Sequence, residues 1–248
     1  MHTAMKLLKG AYRRGCLLLL CLIVWLFAVG LYHTVKPLPD GITVYGREWR
    51  VPEDRVRFLF DLTYENRDRD IVSEQEIFDT AFAVIENARR YILIDMFLFN
   101  SRMARVSGAH RNLAGELTAL LIEKKRRYPL IVIDLITDDI NTVYGGAPSP
   151  ELTSLSEAGV NVVITNHKPL RDSNPIYSSV WRTCFQWFGN ADSGGIFPHP
   201  FSQSGERVTL RSYLALLNFK ANHRKVIVAD DGDTLTGLII SANCHDAS

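Results

Sequence analysis

Near the C-terminus, His223 and Lys225 stand two residues apart, Asp230 follows, and Ser241 and Asn243 lie a short way on. Between them run two apolar stretches, residues 226–229 and 238–240, separated by Asp231-Gly232-Asp233. This is the pattern of a β-hairpin with polar side chains at its open ends. Side chains on a strand alternate with period two, so His223 shares a face with Lys225, and Ser241 with Asn243. A turn over residues 231–235 pairs Asp230 with Thr236, sets Lys225 opposite Ser241 and sets His223 opposite Asn243. An imidazole, an ammonium, a hydroxyl and an amide then converge on one patch. Such a patch suits a phosphate: lysine brings charge, asparagine and serine bring donors, and histidine brings a nucleophile or a proton relay. Asp230 has the other parity and is expected in the turn or behind the site. The structural alternative is a half-buried hairpin with a polar solvent face.

The elements that must hold this hairpin can be read from residue 55 onward. Residues 55–63 (RVRFLFDLT) read as a strand, and 65–70 as a charged loop. Ser73 and Glu76 have the spacing of a capping box, ahead of apolar residues at helical spacing from Ile77 to Ala88. Residues 91–99 (YILIDMFLF) and 130–137 (LIVIDLIT) are near-continuous apolar runs, as expected of strands covered on both faces. A helix fits residues 112–127 between them. Ser149 or Ser154 is placed to cap a short helix, Gly159 to end it, and residues 160–164 form a further strand. Alternating strands and helices predict an α/β fold, a sheet covered by helices. Asp95 and Asp134 lie inside apolar strands, where hydrogen-bonded structural roles are expected. From residue 168 to 205 periodicity gives way to aromatic residues and glycines. This stretch is either an apolar rim facing lipid or a satellite core under a long loop. Regular structure returns over residues 208–217.

Composition narrows the function classes. The chain has 248 residues and a net charge of +1, so no strong field points to a polyanion and a nucleic-acid partner is not expected. Among the four cysteines, Cys16 and Cys21 lie in an apolar N-terminus, and a Cys184–Cys244 disulfide is left open. Neither CxxC nor HExxH occurs, so no metal site and no cofactor are expected. Residues 16–31 are apolar without a charge, behind a flank with Lys6, Lys9, Arg13 and Arg14. The expected arrangement is a basic cytoplasmic flank (1–15), a transmembrane signal-anchor (16–35), a linker (36–54) and one exported domain (55–248). A signal peptide cleaved after Gly30 is the rival reading.

His223-x-Lys225-x4-Asp230, followed by Ser241-x-Asn243, resembles the HxKxxxxD motif and downstream asparagine of the phospholipase D superfamily. Residues 74–100 (EQEIFD to ILIDMFLFN) look like membrane-associated bacterial members. The resemblance implies a phospholipase D-like α/β/α sandwich with a mixed sheet. It also implies metal-free cleavage of a phospholipid head-group phosphodiester through a phosphohistidine. A cardiolipin-synthase-like phosphatidyl transfer is the alternative outcome. By the same resemblance, His223 is one histidine of a catalytic pair, as nucleophile or acid. Lys225 and Asn243 hold phosphate oxygens, Ser241 joins that pocket, and Asp230 supports the motif. The second histidine belongs to a second motif copy, and here no other histidine has lysine two residues later. Family members also continue past the asparagine with a helix and a carboxylate that orients the histidine. The expectation is therefore an N-terminal half completed in cis; a homodimerising one-motif subunit and a non-catalytic remnant are the alternatives.

Overall fold

A computed structural model describes residues 2–42, 46, 48–102, 111–202 and 205–245. In chain order the described elements begin with helix α1 (His2–Val35) and a hairpin, β1 (Asp61–Glu65) and β2 (Ile71–Gln75). Helix α2 (Glu76–Asn87), β3 (Tyr91–Met96), β4 (Phe99–Asn100), α3 (Leu113–Arg127) and β5 (Val132–Thr137) follow. Then come α4 (Pro150–Glu157), β6 (Asn161–Ile164), α5 (Pro175–Val180), β7 (Phe197–Pro198), β8 (Arg207–Val208) and α6 (Leu210–Leu217). The chain closes with β9 (Lys225–Asp231), β10 (Thr234–Ile239) and β11 (Cys244–His245).

The fold is mixed α/β. Its main sheet has five strands in the order β10-β9-β3-β5-β6. β3, β5 and β6 are parallel, and β9 runs antiparallel to both β3 and β10. Ile92, Ile94 and Met96 of β3, Ile133 and Leu135 of β5, and Ile227 and Ala229 of β9 point into one core. The apolar faces of α2 (Phe78, Ala81, Ile85), α3 (Leu113, Leu117, Leu121) and α4 (Leu152, Leu155) close it. Each of the larger side chains among them contributes roughly 1.5–3 kcal/mol by leaving water. The expectation of strands buried on both faces is corrected. Leu93, Ile136, Val226 and Val228, on the opposite face, are only half-buried, because α2, α3 and α4 all serve the same core.

Local chemistry explains most boundaries. Asn112 caps α3 by accepting from Gly115 N at 3.0 Å, and Ser149 caps α4 by accepting from Leu152 N. Gly159 closes α4 at φ 85°, a region open to glycine. Two expectations fail at the N-terminal side. The strand read at residues 55–63 lies at Asp61–Glu65, outside the main sheet and exposed throughout. The capping box does not form: Ser73 sits in β2 opposite Thr63. Its place is taken by Asp61, which accepts from Ile77 N at 3.0 Å, while Glu76 accepts from the Arg57 guanidinium. A cap supplied across a hairpin serves the helix N–H groups as well as a local one does. The disulfide left open between Cys184 and Cys244 does not form: Cys184 is exposed, and Cys244 is buried in the core.

Candidate functional site

Strand β9 enters the sheet beside the C-terminal end of β3, with Lys225 paired to Met96 and Phe97 N donating to Arg224 O at 3.1 Å. His223 thus lies at the C-terminal rim of the parallel strands, where side chains and loops of an open α/β sheet meet ligands. His223 and Lys225 share a face as the alternation requires: Lys225 Nζ lies 3.4 Å from His223 Nε2 and donates to His223 O at 3.3 Å. The Phe97 ring packs 4.9 Å from the imidazole, centroid to centroid, and 5.5 Å from the ammonium. His223 is exposed, whereas Lys225 is only 6% exposed. Burial lowers the lysine's proton affinity, and among the described residues no carboxylate pairs with it. A buried ammonium without a counter-ion is costly, and an anionic ligand relieves that cost.

The hairpin register differs from the one expected. Asp231 pairs with Thr234 and Asp230 with Leu235, so the turn holds only Gly232 and Asp233. Gly232, at φ 63°, supplies the positive φ at the first turn position and lets the strands close in two residues. The one-residue slip moves Ile240, not Ser241, to Lys225, with Ile240 N donating to Lys225 O at 3.0 Å. Ser241 is exposed beyond the end of β10 and is not opposite Lys225. Asn243 comes back by another route. The chain crosses from β10 to β11, which pairs in parallel with β4, Cys244 against Phe99. This returns Asn243 to the β3 side of the same sheet end, with its Oδ1 buried and without a hydrogen-bond partner among the described residues.

Asp230 lies at the far end of β9. Its carboxylate accepts from the backbone N–H of Arg89, Arg90 and Tyr91, at 3.1, 2.9 and 2.8 Å to Oδ1. Burial opposes its ionisation, but the three N–H donors outweigh that and hold its pKa below the ordinary value. Asp230 therefore ties the α2–β3 junction to β9 and does not meet His223. Asp134, the other strand carboxylate, accepts from Asn161 at 2.9 Å.

A second set of side chains, absent from the expectations, lies along the same rim. Asp138 and Asp139 leave β5, and His167 follows β6. The imidazole is flanked on both sides: Nε2 is 3.5 Å from Asp138 Oδ2 and Nδ1 is 3.6 Å from Asp139 Oδ1. Thr165 Oγ1 lies 3.0 Å from Nε2. Asp138 is fully buried and also accepts from Ile140 N and Asn222 N, the latter at 2.8 Å. Burial pushes its pKa up to about 6, against the backbone donors and His167. The Asp139 carboxylate beside Nδ1 holds His167 above the ordinary histidine value, against its burial. The loop that presents these carboxylates is strained, since buried Val143 and half-buried Tyr144 both sit at positive φ, 48° and 58°. Asn141 braces it, donating to Phe97 O at 2.8 Å and accepting from Phe99 N at 2.9 Å.

The two sets meet in one open groove lined by Asp95, Thr165, His167, Asn222, His223 and Arg224. Asn222 joins them: its backbone donates to Asp138 and its side chain donates to Asp95 Oδ1 at 2.7 Å. The ligand atoms of Asp138, Asp139 and His167 lie within 4.8 Å of one another, a donor set able to hold a divalent cation. As arranged, each imidazole nitrogen faces a carboxylate, which suits a histidine that carries a proton. A sequence signal for this set existed: acidic and histidine residues just past the ends of two adjacent parallel strands.

Compared with protein-family models, curated proteins and solved structures, the chain finds no match.

Proposed function

We propose that the chain carries one half of a phospholipase D-like site that cleaves head-group phosphodiesters of phospholipids. The observation that carries this reading is the buried Lys225 ammonium, unpaired by any carboxylate among the described residues and touching an exposed histidine at the mouth of a groove. Lys225 receives a phosphate oxygen and neutralises it, and Asn243 offers its amide to another. His223 Nε2 attacks phosphorus, the P–O bond to the head-group alcohol breaks, and a phosphohistidine remains. An acid protonates the departing alkoxide, and water then cleaves the P–N bond. The acid comes from a second motif copy by the family resemblance. His223 fills that acid role if the partner histidine is the nucleophile.

The choice of a phospholipid rests on where the groove opens. Gly41 and Ile42, just past the end of α1, form part of its wall. Residues Lys9–Val35 of α1 are long and apolar enough to cross a membrane. We read α1 as a retained single-pass anchor with its basic flank cytoplasmic and the groove on the opposite side. Its C-terminal turns support retention, since Trp25 donates to Thr183 at 3.3 Å and Asp172 N donates to His33 O at 3.0 Å.

The test is release of head-group alcohol from phospholipid vesicles by the chain supplied with a second motif half, with and without His223→Ala. Equal release by the two overturns the reading. The chain alone offers an independent check: inorganic phosphate should shift the His223 imidazole ¹⁵N resonances, and Lys225→Met should abolish that shift.

A further inference from the structure

Residues 168–188 meet α1 along its C-terminal third. Gly30 marks a close approach: a Cβ there would lie 3.1 Å from Pro175 O and 3.6 Å from Ser179 Cβ. The contacts run from Trp25 with Thr183 to Lys36, whose carbonyl accepts from Arg171 at 2.8 Å. If α1 spans a bilayer, these contacts have a depth. Between Arg14 and Lys36 no Asp, Glu, Lys or Arg occurs. A hydrocarbon core takes about 20 helical residues, which counted from Gly15 end at Thr34. Gly30 then lies about 6 Å inside that boundary and Trp25 about 14 Å inside, at 1.5 Å per residue. The Pro175 carbonyl and Thr183, held against these residues, lie below the boundary as well.

The chemistry of this segment agrees. Residues 175–188 (PIYSSVWRTCFQWF) contain one charged side chain, Arg182. It is buried and turned inward onto Asp172, with contacts of 2.6 and 2.8 Å, and Lys220 reaches the same carboxylate at 2.6 Å. The polar side chains of α5 are also answered internally: Tyr177 donates to Leu214 O, Ser178 to Asn218 and Ser179 to Ile176 O. What faces outward is apolar, with Ile176 84%, Trp187 74% and Phe188 66% exposed. Between α5 and α1 lies a groove of about 470 Å³ lined by Leu26, Phe27, Gly30, Leu31, Ile176 and Val180. Inward polar groups with an outward apolar surface are the reverse of a water-facing loop.

We propose that residues 175–188 are immersed in the outer part of the bilayer beside α1, with Ile176, Trp187 and Phe188 in contact with lipid acyl chains. This rests on the reading of α1 as a membrane span. The segment then fixes the height of the domain, because Leu170, at its root, also lines the His223 groove. The groove is thereby held at the head-group level, where a phosphodiester stands.

The experiment places single nitroxide labels on the full chain with its four native cysteines replaced by alanine. The chain is reconstituted in phosphatidylcholine vesicles containing some phosphatidylglycerol. Labels at Leu20→Cys, Ile176→Cys, Trp187→Cys and Ile239→Cys are compared for collision with oxygen, enriched in lipid, and with a water-soluble nickel chelate. Ile239 lies on β10, at the opposite edge of the sheet from β6, and reports the aqueous face. Ile176 and Trp187 should follow Leu20, with an oxygen-to-nickel ratio several-fold above that of Ile239. If Leu20 is in lipid but both insert labels match Ile239, the immersion is overturned and the anchor stands. If Leu20 itself matches Ile239, the membrane-span reading falls and this inference with it.

Discussion

The two ends of β9 carry the two halves of one sequence motif, yet they differ in almost every physical respect. At the Asp230 end every feature is satisfied: a buried carboxylate meets three backbone N–H groups and closes the α2–β3 junction. At the His223 end the groups are left wanting. Lys225 is buried with only weak contacts to His223 and the Phe97 ring and with no carboxylate partner among the described residues. A saturated end holds the fold together, and an unsaturated end waits for a ligand. The same short motif thus divides its labour along about 23 Å of extended chain, seven residues at roughly 3.3 Å each.

The sharpest way to break this comparison is at the exposed histidine. If the proposed activity holds, His223→Ala should lower phosphodiester cleavage by the chain supplied with a second motif half by at least about 10²-fold, as loss of a positioned acid, base or nucleophile does. Its melting temperature should stay within a degree or two of the parent's, because the ring is exposed and its contacts with Phe97 and Lys225 are loose. A matching loss of stability would make His223 a structural residue. At the other end the prediction inverts. Asp230→Ala leaves three N–H groups without their acceptor and should cost about 2–4 kcal/mol, read by urea unfolding in detergent micelles. Phosphate binding at the His223 end should survive wherever the variant remains folded.

The carboxylates also predict opposite responses to pH. Asp230 has its pKa depressed by folding, so its stabilisation is present above the ordinary value of 3.8 and is lost as pH falls below it. Asp138 has its pKa raised to about 6, so the folded state binds the extra proton between 3.8 and about 6. Its contribution to stability therefore declines as pH rises through that window. Asp138→Asn should gain on the parent by on the order of 2 kcal/mol between pH 4 and pH 7. A flat difference would show that His167 cancels the burial effect. The smallest effect belongs to the turn. Gly232→Ala places a Cβ at φ 63° and should cost about 1–2 kcal/mol, measured by the same unfolding.

Much of this arrangement was legible from side-chain pattern. The apolar runs that became β3, β5 and β9, the extent of helix α3, and α4 between Ser149 and Gly159 are set by local rules. The shared face of His223 and Lys225 followed from strand alternation alone, and their side chains do touch. The hairpin register did not follow. A register one residue away from the expected one exchanged Ile240 for Ser241 opposite Lys225, and the tight two-residue turn that Gly232 permits goes with it. The capping of α2 was equally out of reach, since Asp61 arrives from a strand fifteen residues before the helix starts at Glu76.

The sequence by itself determined which residues carry the chemistry-bearing groups and the alternation that puts His223 beside Lys225, because those depend on neighbours along one chain. It also determined an N-terminal helix apolar enough to cross a membrane. Tertiary structure alone decided that His167 is clasped by Asp138 and Asp139 and shares a groove with His223. It alone turned Arg182 inward and left Ile176 and Trp187 outside. Those arrangements come from parallel strands and a long insert meeting across the fold. Contacts of that kind depend on packing and burial, which no local pattern of residues encodes.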